Sequence, residues 1–183
     1  MAFTYSKLAE TTVGSGGTTT ISFNNIPQNY NDLMVVISIR SNRTFGGTPF
    51  DSIGYRFNNS TSGYSQKYVY GDGSNVSSST LTTFTPASET WGRLEGGTIS
   101  SANTASNTFA SIQMYIPNYA GSNNKSFGVD VVGENNATNG AAELNAGLWS
   151  SPTAISSISF RDNNLGNIAQ HSTVTLYGVK AEV

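Results

Sequence analysis

The chain contains no cysteine and a single histidine, His171. The first absence excludes a disulfide framework, thiol catalysis and a thiolate metal site. The second leaves no histidine-rich metal site and no paired-histidine mechanism within one chain. Charge is scarce as well: charged residues make up 11% of the 183, against roughly a quarter in a usual soluble domain. Nine Lys+Arg against eleven Asp+Glu give a net charge of -2, so no basic patch is available for nucleic acid or for an anionic membrane. No run approaches the ~18–20 consecutive apolar residues of a membrane helix; the longest, Leu33–Ile39, contains Ser38. The opening Met1–Lys7 shows no basic region followed by an apolar stretch. No signal peptide is therefore expected, and the chain is expected to be made and assembled in a cytoplasm.

In place of charge there are hydroxyls, amides and glycine. Ser, Thr, Asn and Gly supply 86 of the 183 residues. Nine Phe, nine Tyr and two Trp provide the apolar surface that a disordered chain would lack. Their pattern is that of strands. Ala110, Ile112, Met114 and Ile116 alternate with polar or aromatic neighbours, Phe127, Val129 and Val131 with Gly128 and Asp130, and Val174 and Leu176 with threonines. Ile21 and Phe23 repeat the pattern. Leu33–Arg40 is apolar on both faces and reads as a strand buried in the middle of a sheet. Ile53–Phe57, Lys67–Tyr70, Trp91–Ile99, Ala142–Trp149 and Ile155–Phe160 bring the total to roughly ten strands. Gly- and Asn-rich stretches separate them, such as Gly14–Gly17, Asn58–Gly63, Gly71–Asn75 and Gly121–Asn124. No helical period persists over three turns. Thr85–Trp91 reads at most as one helical turn, and Ala137–Leu144 as another or as a hairpin through Asn139-Gly140. The pattern predicts one all-β domain over residues 1–183, a two-sheet antiparallel sandwich of jelly-roll type, with Ile112, Met114, Val129, Val131, Val174 and Leu176 in its core.

Few residues offer chemistry. His171 lies beside Gln170 and Ser172 ahead of the last strand, and no Gly-x-Ser-x-Gly elbow accompanies it; it reads as structural or solvent-exposed. Glu134 and Glu143 flank the asparagine-rich turn and invite comparison with the paired carboxylates of a glycosidase, although two surface carboxylates are the plainer reading. Asp72–Asn75 offers oxygen ligands without the spaced acidic series of a calcium loop, and turn chemistry accounts for it. No catalytic, cofactor-binding or metal motif emerges, and no enzyme is expected. Tyr64, Tyr68 and Tyr70 follow Tyr55 and Phe57; Tyr68 and Tyr70 share one face of their strand. They suit either the core or an interface with a partner, and sugar stacking less well.

Taken together, Tyr5–Glu10, Thr18–Phe23 with Ile26-Pro27 and Tyr30–Leu33, Tyr70–Gly73, Tyr115–Ser122, Lys125–Phe127, Glu134–Asn136, Gly147–Trp149, Ile155–Ile158 and Thr175–Gly178 resemble a family of small structural proteins of tailed bacteriophages, common in phages of aquatic bacteria and cyanobacteria. The resemblance runs almost end to end, and its motifs are those of strands and turns. It implies a virion component on the outer capsid surface, a jelly-roll decoration (cement) protein that binds the major capsid protein and self-associates as a homotrimer. The alternative it implies is a fibre or receptor-binding module that recognises host glycans.

The first seventeen residues carry Phe3, Tyr5 and Leu8 ahead of the Gly14–Gly17 hinge. They form either an arm that pairs with a sheet edge of a neighbouring copy or of the shell protein, or the first strand of the chain's own sandwich. Phe3, Tyr5, Leu8, Tyr64, Tyr68 and Tyr70 are the candidate interface residues.

Overall fold

The computed structural model describes residues 3–44, 50–81, 91–135 and 140–181. Among them are twelve strands and no helix: β1 (Phe3–Thr12), β2 (Thr20–Phe23), β3 (Asp32–Ile39), β4 (Phe50–Phe57), β5 (Tyr64–Gly71), β6 (Val76–Leu81), β7 (Gly92–Ser100), β8 (Ala110–Ile116), β9 (Lys125–Glu134), β10 (Gly140–Trp149), β11 (Ile158–Asp162) and β12 (Thr173–Ala181). All pair antiparallel. Eight form one sheet in the order β1-β12-β3-β8-β9-β10-β5-β6, and four form the other in the order β2-β11-β4-β7. The chain is an all-β sandwich, as its alternation predicts. The helical turn weighed for Thr85–Trp91 and the turn at Asn139-Gly140 fall outside the described residues, except for Trp91 and Gly140.

The core lies between the sheets. Ile112, Met114, Val129, Val131, Val174 and Leu176 are all buried, as expected, with Leu33, Val35, Ile37 and Ile39 beside them. From the four-stranded sheet Ile21, Phe23, Tyr55, Phe57, Ile158 and Phe160 face them. Cross-strand pairs of an aromatic with a glycine fix the contact. Phe127 of β9 stands opposite Gly147 of β10, and Tyr55 of β4 opposite Gly92 of β7. In each pair the ring occupies the space a β-carbon on the glycine would need. The two rings then meet edge to face across the interlayer, centroids 5.3 Å apart, an arrangement favoured by the ring quadrupoles.

One expectation requires correction. β3 does sit mid-sheet, between β12 and β8, but it is buried on one face only: Val36 is 39% exposed. A layer of four strands covers only one side of a layer of eight, so the second apolar set of β3 turns outward. Of the two readings of the first seventeen residues, the pairing follows the second. Phe3–Thr12 forms the first strand of the chain's own sheet, paired with β12 from Phe3↔Ala181 to Thr12↔Thr173 across a bulge between Lys7 and Ala9. Leu8 and Ala9 pack against the core.

Ile112 is fully buried between β3 and β9. Ile112→Ala should therefore lower unfolding free energy by about 2–5 kcal/mol in a urea titration. Deleting residues 1–12 should strip β12 of its outer neighbour and lower the melting temperature by several degrees or more; an unchanged melting curve would contradict the placement of β1.

Candidate interaction surface

The six interface candidates separate once the strands are paired. Tyr64 belongs to the core at 6% exposure. Its ring stacks on Trp149 at 6.4 Å, its hydroxyl accepts the Phe57 N–H at 2.9 Å, and burial pushes its phenol up to about 12. Tyr68 and Tyr70 lie on the same inner side of β5, half-buried, opposite Asn145 and Glu143 of β10. Gln66 and Asn145 meet there through a hydrogen bond between their amides. Leu8 faces inward, and Phe3 opposes Ala181 in the ladder. Tyr5 alone among those whose side chains are described is largely exposed, at 54%. The tyrosine run is therefore mostly an inner-face feature and does not form one outward patch with the first strand.

The residues weighed for catalysis do not converge. Glu134 opposes Gly140 across the β9–β10 hairpin, while Glu143 opposes Val131. Glu134 is exposed and Glu143 buried, so the two carboxylates occupy opposite faces of the sheet. A water or sugar cannot sit between them as a glycosidase requires. His171 is exposed in the loop before β12, at a positive φ of 71°, and its backbone N–H donates to Val13 at 2.9 Å. Asp72 closes a turn: its Oδ1 accepts the backbone N–H of Ser74 at 2.9 Å and of Asn75 at 2.6 Å. Those bonds hold its carboxyl below the usual range.

What the strand pairing does assemble is the outer face of the eight-stranded sheet. Register aligns Val36, Gln113, Asp130, Leu144, Val69 and Ser78 in one row across β3, β8, β9, β10, β5 and β6. Beside it run Met34, Tyr115, Gly128, Ala146, Lys67 and Thr80. Leu144 is 60% and Val69 51% exposed, side by side. Gly128 and Ala146 are small, so the second row sinks between Tyr115 and Lys67. The depression is a groove of about 760 Å³, with Leu144, Val69 and Pro117 on its walls. Tyr115 is fixed at its rim by a 2.6 Å bond from its hydroxyl to Asp32. That bond, with some burial, pushes its phenol up to about 12. Alternation in β9 and β10 announces such a face, but its width and the groove depend on register and are not visible in a single strand.

The outer side of the smaller sheet is built differently. Trp91 is buried there between Arg56 and Arg161, whose guanidinium carbons lie 4.2 and 4.5 Å from its ring. Polar groups also gather at one end of the sandwich. The Ser41 hydroxyl donates to Asp162 and lies 3.3 Å from Asp51, the Asn164 amide donates to Asp51, and Arg43 stands 3.7 Å from Asp51. Asp51 and Asp162 are both buried. Burial first, then the neighbouring Asp51 carboxylate, raises Asp162 above the ordinary carboxylate range. The sequence did not single out this cluster, because its members are scattered over residues 41–164.

No family model, curated protein or solved structure matches the chain.

A raised folded-state value means that Asp162 stabilises the fold most when protonated and loses that contribution as pH rises through it. Compared with Asp162→Asn, the wild type should therefore lose stability from the acid range toward neutrality. Denaturation at several pH values checks this, and a stability difference independent of pH would contradict it.

Proposed function

We propose that the chain is a structural protein of a tailed-phage virion, a decoration protein that lies on the outer capsid surface and binds the major capsid protein. The observation that carries this reading is the exposed outer face of the eight-stranded sheet, with Leu144 and Val69 projecting beside a groove. Eight strands at about 4.8 Å spacing make a platform some 35 Å wide. A contiguous exposed apolar patch on a folded domain marks an interaction site. A charge-poor, broad platform is suited to a broad, shallow partner such as a shell.

The strand order supports the finer reading of the fold as a jelly roll. The chain crosses between sheets at β1–β2, β2–β3, β3–β4, β4–β5, β6–β7, β7–β8, β10–β11 and β11–β12. With β9–β10 removed from between β8 and β5, and β1–β12 from the far edge, two four-stranded sheets remain: β2-β11-β4-β7 and β3-β8-β5-β6. We read those two sheets as the eight-stranded core of a jelly roll, a fold that recurs in viral capsid proteins and elsewhere. Fold alone does not assign function. The resemblance read from the sequence motifs gives the proposal its direction, and the exposed sheet face supports it.

Purified virions should contain many copies, comparable in number to the shell protein, by quantitative mass spectrometry. A handful per particle would favour the tail or fibre reading instead. Leu144→Asp and Val69→Asp, at exposed positions, should leave the β-sheet spectrum and melting temperature nearly unchanged. Each should weaken binding to undecorated shells by about tenfold or more if these residues anchor the contact. Unchanged binding by both would overturn the assignment of the face.

A further inference from the structure

We infer that the edge of β6 that no described strand pairs is a pairing surface for a second copy of the chain, related by a two-fold axis through Ser78. The observation is the contrast between the two edges of the eight-stranded sheet. Terminal strands expose unpaired N–H and C=O groups, and proteins usually guard them with charge, proline or a bulge. β1 is guarded: it carries Lys7 and Glu10, joined by a 3.5 Å ion pair, and a bulge between Lys7 and Ala9. β6 reads Val-Ser-Ser-Ser-Thr-Leu and has none of these. Among the described residues only β5 pairs with it. Val76, at 81%, is the most exposed large apolar side chain of those described.

A second copy fits because an antiparallel edge can be its own complement. In a continuous sheet, paired residues must point to the same face. Val76, Ser78 and Thr80 share the outer face, since they stand opposite Gly71, Val69 and Lys67. A two-fold axis through Ser78 therefore pairs Val76 with Thr80, Ser77 with Ser79 and Ser78 with its own copy, keeping every side chain on its proper side. Charge agrees with this register. Lys67, beside Thr80, lies toward one end of the β5–β6 hairpin, and Asp72 is in the turn at the other. The axis sets the cation of each copy on the side where the partner's acidic turn lies. No like charges face each other along the strand. The row Leu144, Val69, Ser78 then continues without a break into Ser78, Val69 and Leu144 of the second copy, with both outer faces on one side.

Two-fold pairing gives a dimer and not a homotrimer, which makes the inference separable from the proposed virion role. The test uses the full chain. Sedimentation equilibrium of the wild type should show a concentration-dependent dimer. Ser78→Lys places two like charges at the axis and should raise the dissociation constant about fivefold, with the β-sheet spectrum unchanged. An equal mixture of Ser78→Lys and Ser78→Asp should restore association. Because the chain has no cysteine, Ser78→Cys supplies one reporter thiol. It should oxidise readily to a covalent dimer, whereas Ser122→Cys, in an exposed turn remote in sequence, should not. A wild type that remains monomeric, a trimer, a dimer indifferent to Ser78→Lys, or equal cross-linking at both cysteines would each overturn the inference.

Discussion

The sandwich is held by the meeting of Tyr55 with Phe127. Each ring lies over a cross-strand glycine within its own sheet, Gly92 or Gly147, and the two touch edge to face between the sheets. Phe57 joins them, 5.3 Å from Phe127 and 5.7 Å from Trp149. Because the glycines let the rings lie close to the backbone, the spacing of the layers is set by aromatic edges. The aliphatic rows of β3, β8, β9 and β12 then fill the rest of that interval. A side chain on either glycine would displace a ring and, through it, the opposite sheet.

The unequal widths of the two layers have a second effect. Four strands shield the inner side of the larger sheet only, and among the described residues no layer covers its outer side. Val36, Val69, Val132 and Leu144 consequently stay exposed despite being strand residues of ordinary core type. The inner surface of β5 and β10 carries polar groups as well. Gln66, Asn145 and Glu143 are buried there, with the half-buried Tyr68 and Tyr70 beside them. The sandwich thus has an apolar centre, buried polar groups on the inner side of β5 and β10, and an outer face on which apolar and polar side chains mix.

Much of this was legible in the residues. Strict alternation with small turn residues between strands gave Ile112, Met114, Val129, Val131, Val174 and Leu176 their inward orientation, because period two admits only two choices of face. Other features depend on information that alternation does not carry. Tyr64, Tyr68 and Tyr70 share a face whichever way the strand turns, and only pairing with β10 decides that it is the inner one. Glu134 and Glu143 look like partners across a turn, yet the hairpin register matches Glu134 with Gly140 and sends Glu143 to the opposite side. In β6, Ser-Ser-Ser has the composition of a loop. The extended conformation there follows from pairing with Tyr68–Tyr70, not from local preference.

The pairing of β1 with β12 also has a bearing on how the molecule is made. Thr4 finds its partner at Lys180, and Thr12 at Thr173, so β1 must wait for a strand far along the chain. β12 in turn separates β1 from β3, and this side of the larger sheet cannot close while residues 173–181 are still within the ribosome. Contacts of such long sequence separation slow folding and prolong the life of open strand edges. During that interval the Lys7–Glu10 pair and the neighbouring bulge stand on the waiting strand itself, where they guard a nascent chain against wrong partners before they guard the finished edge.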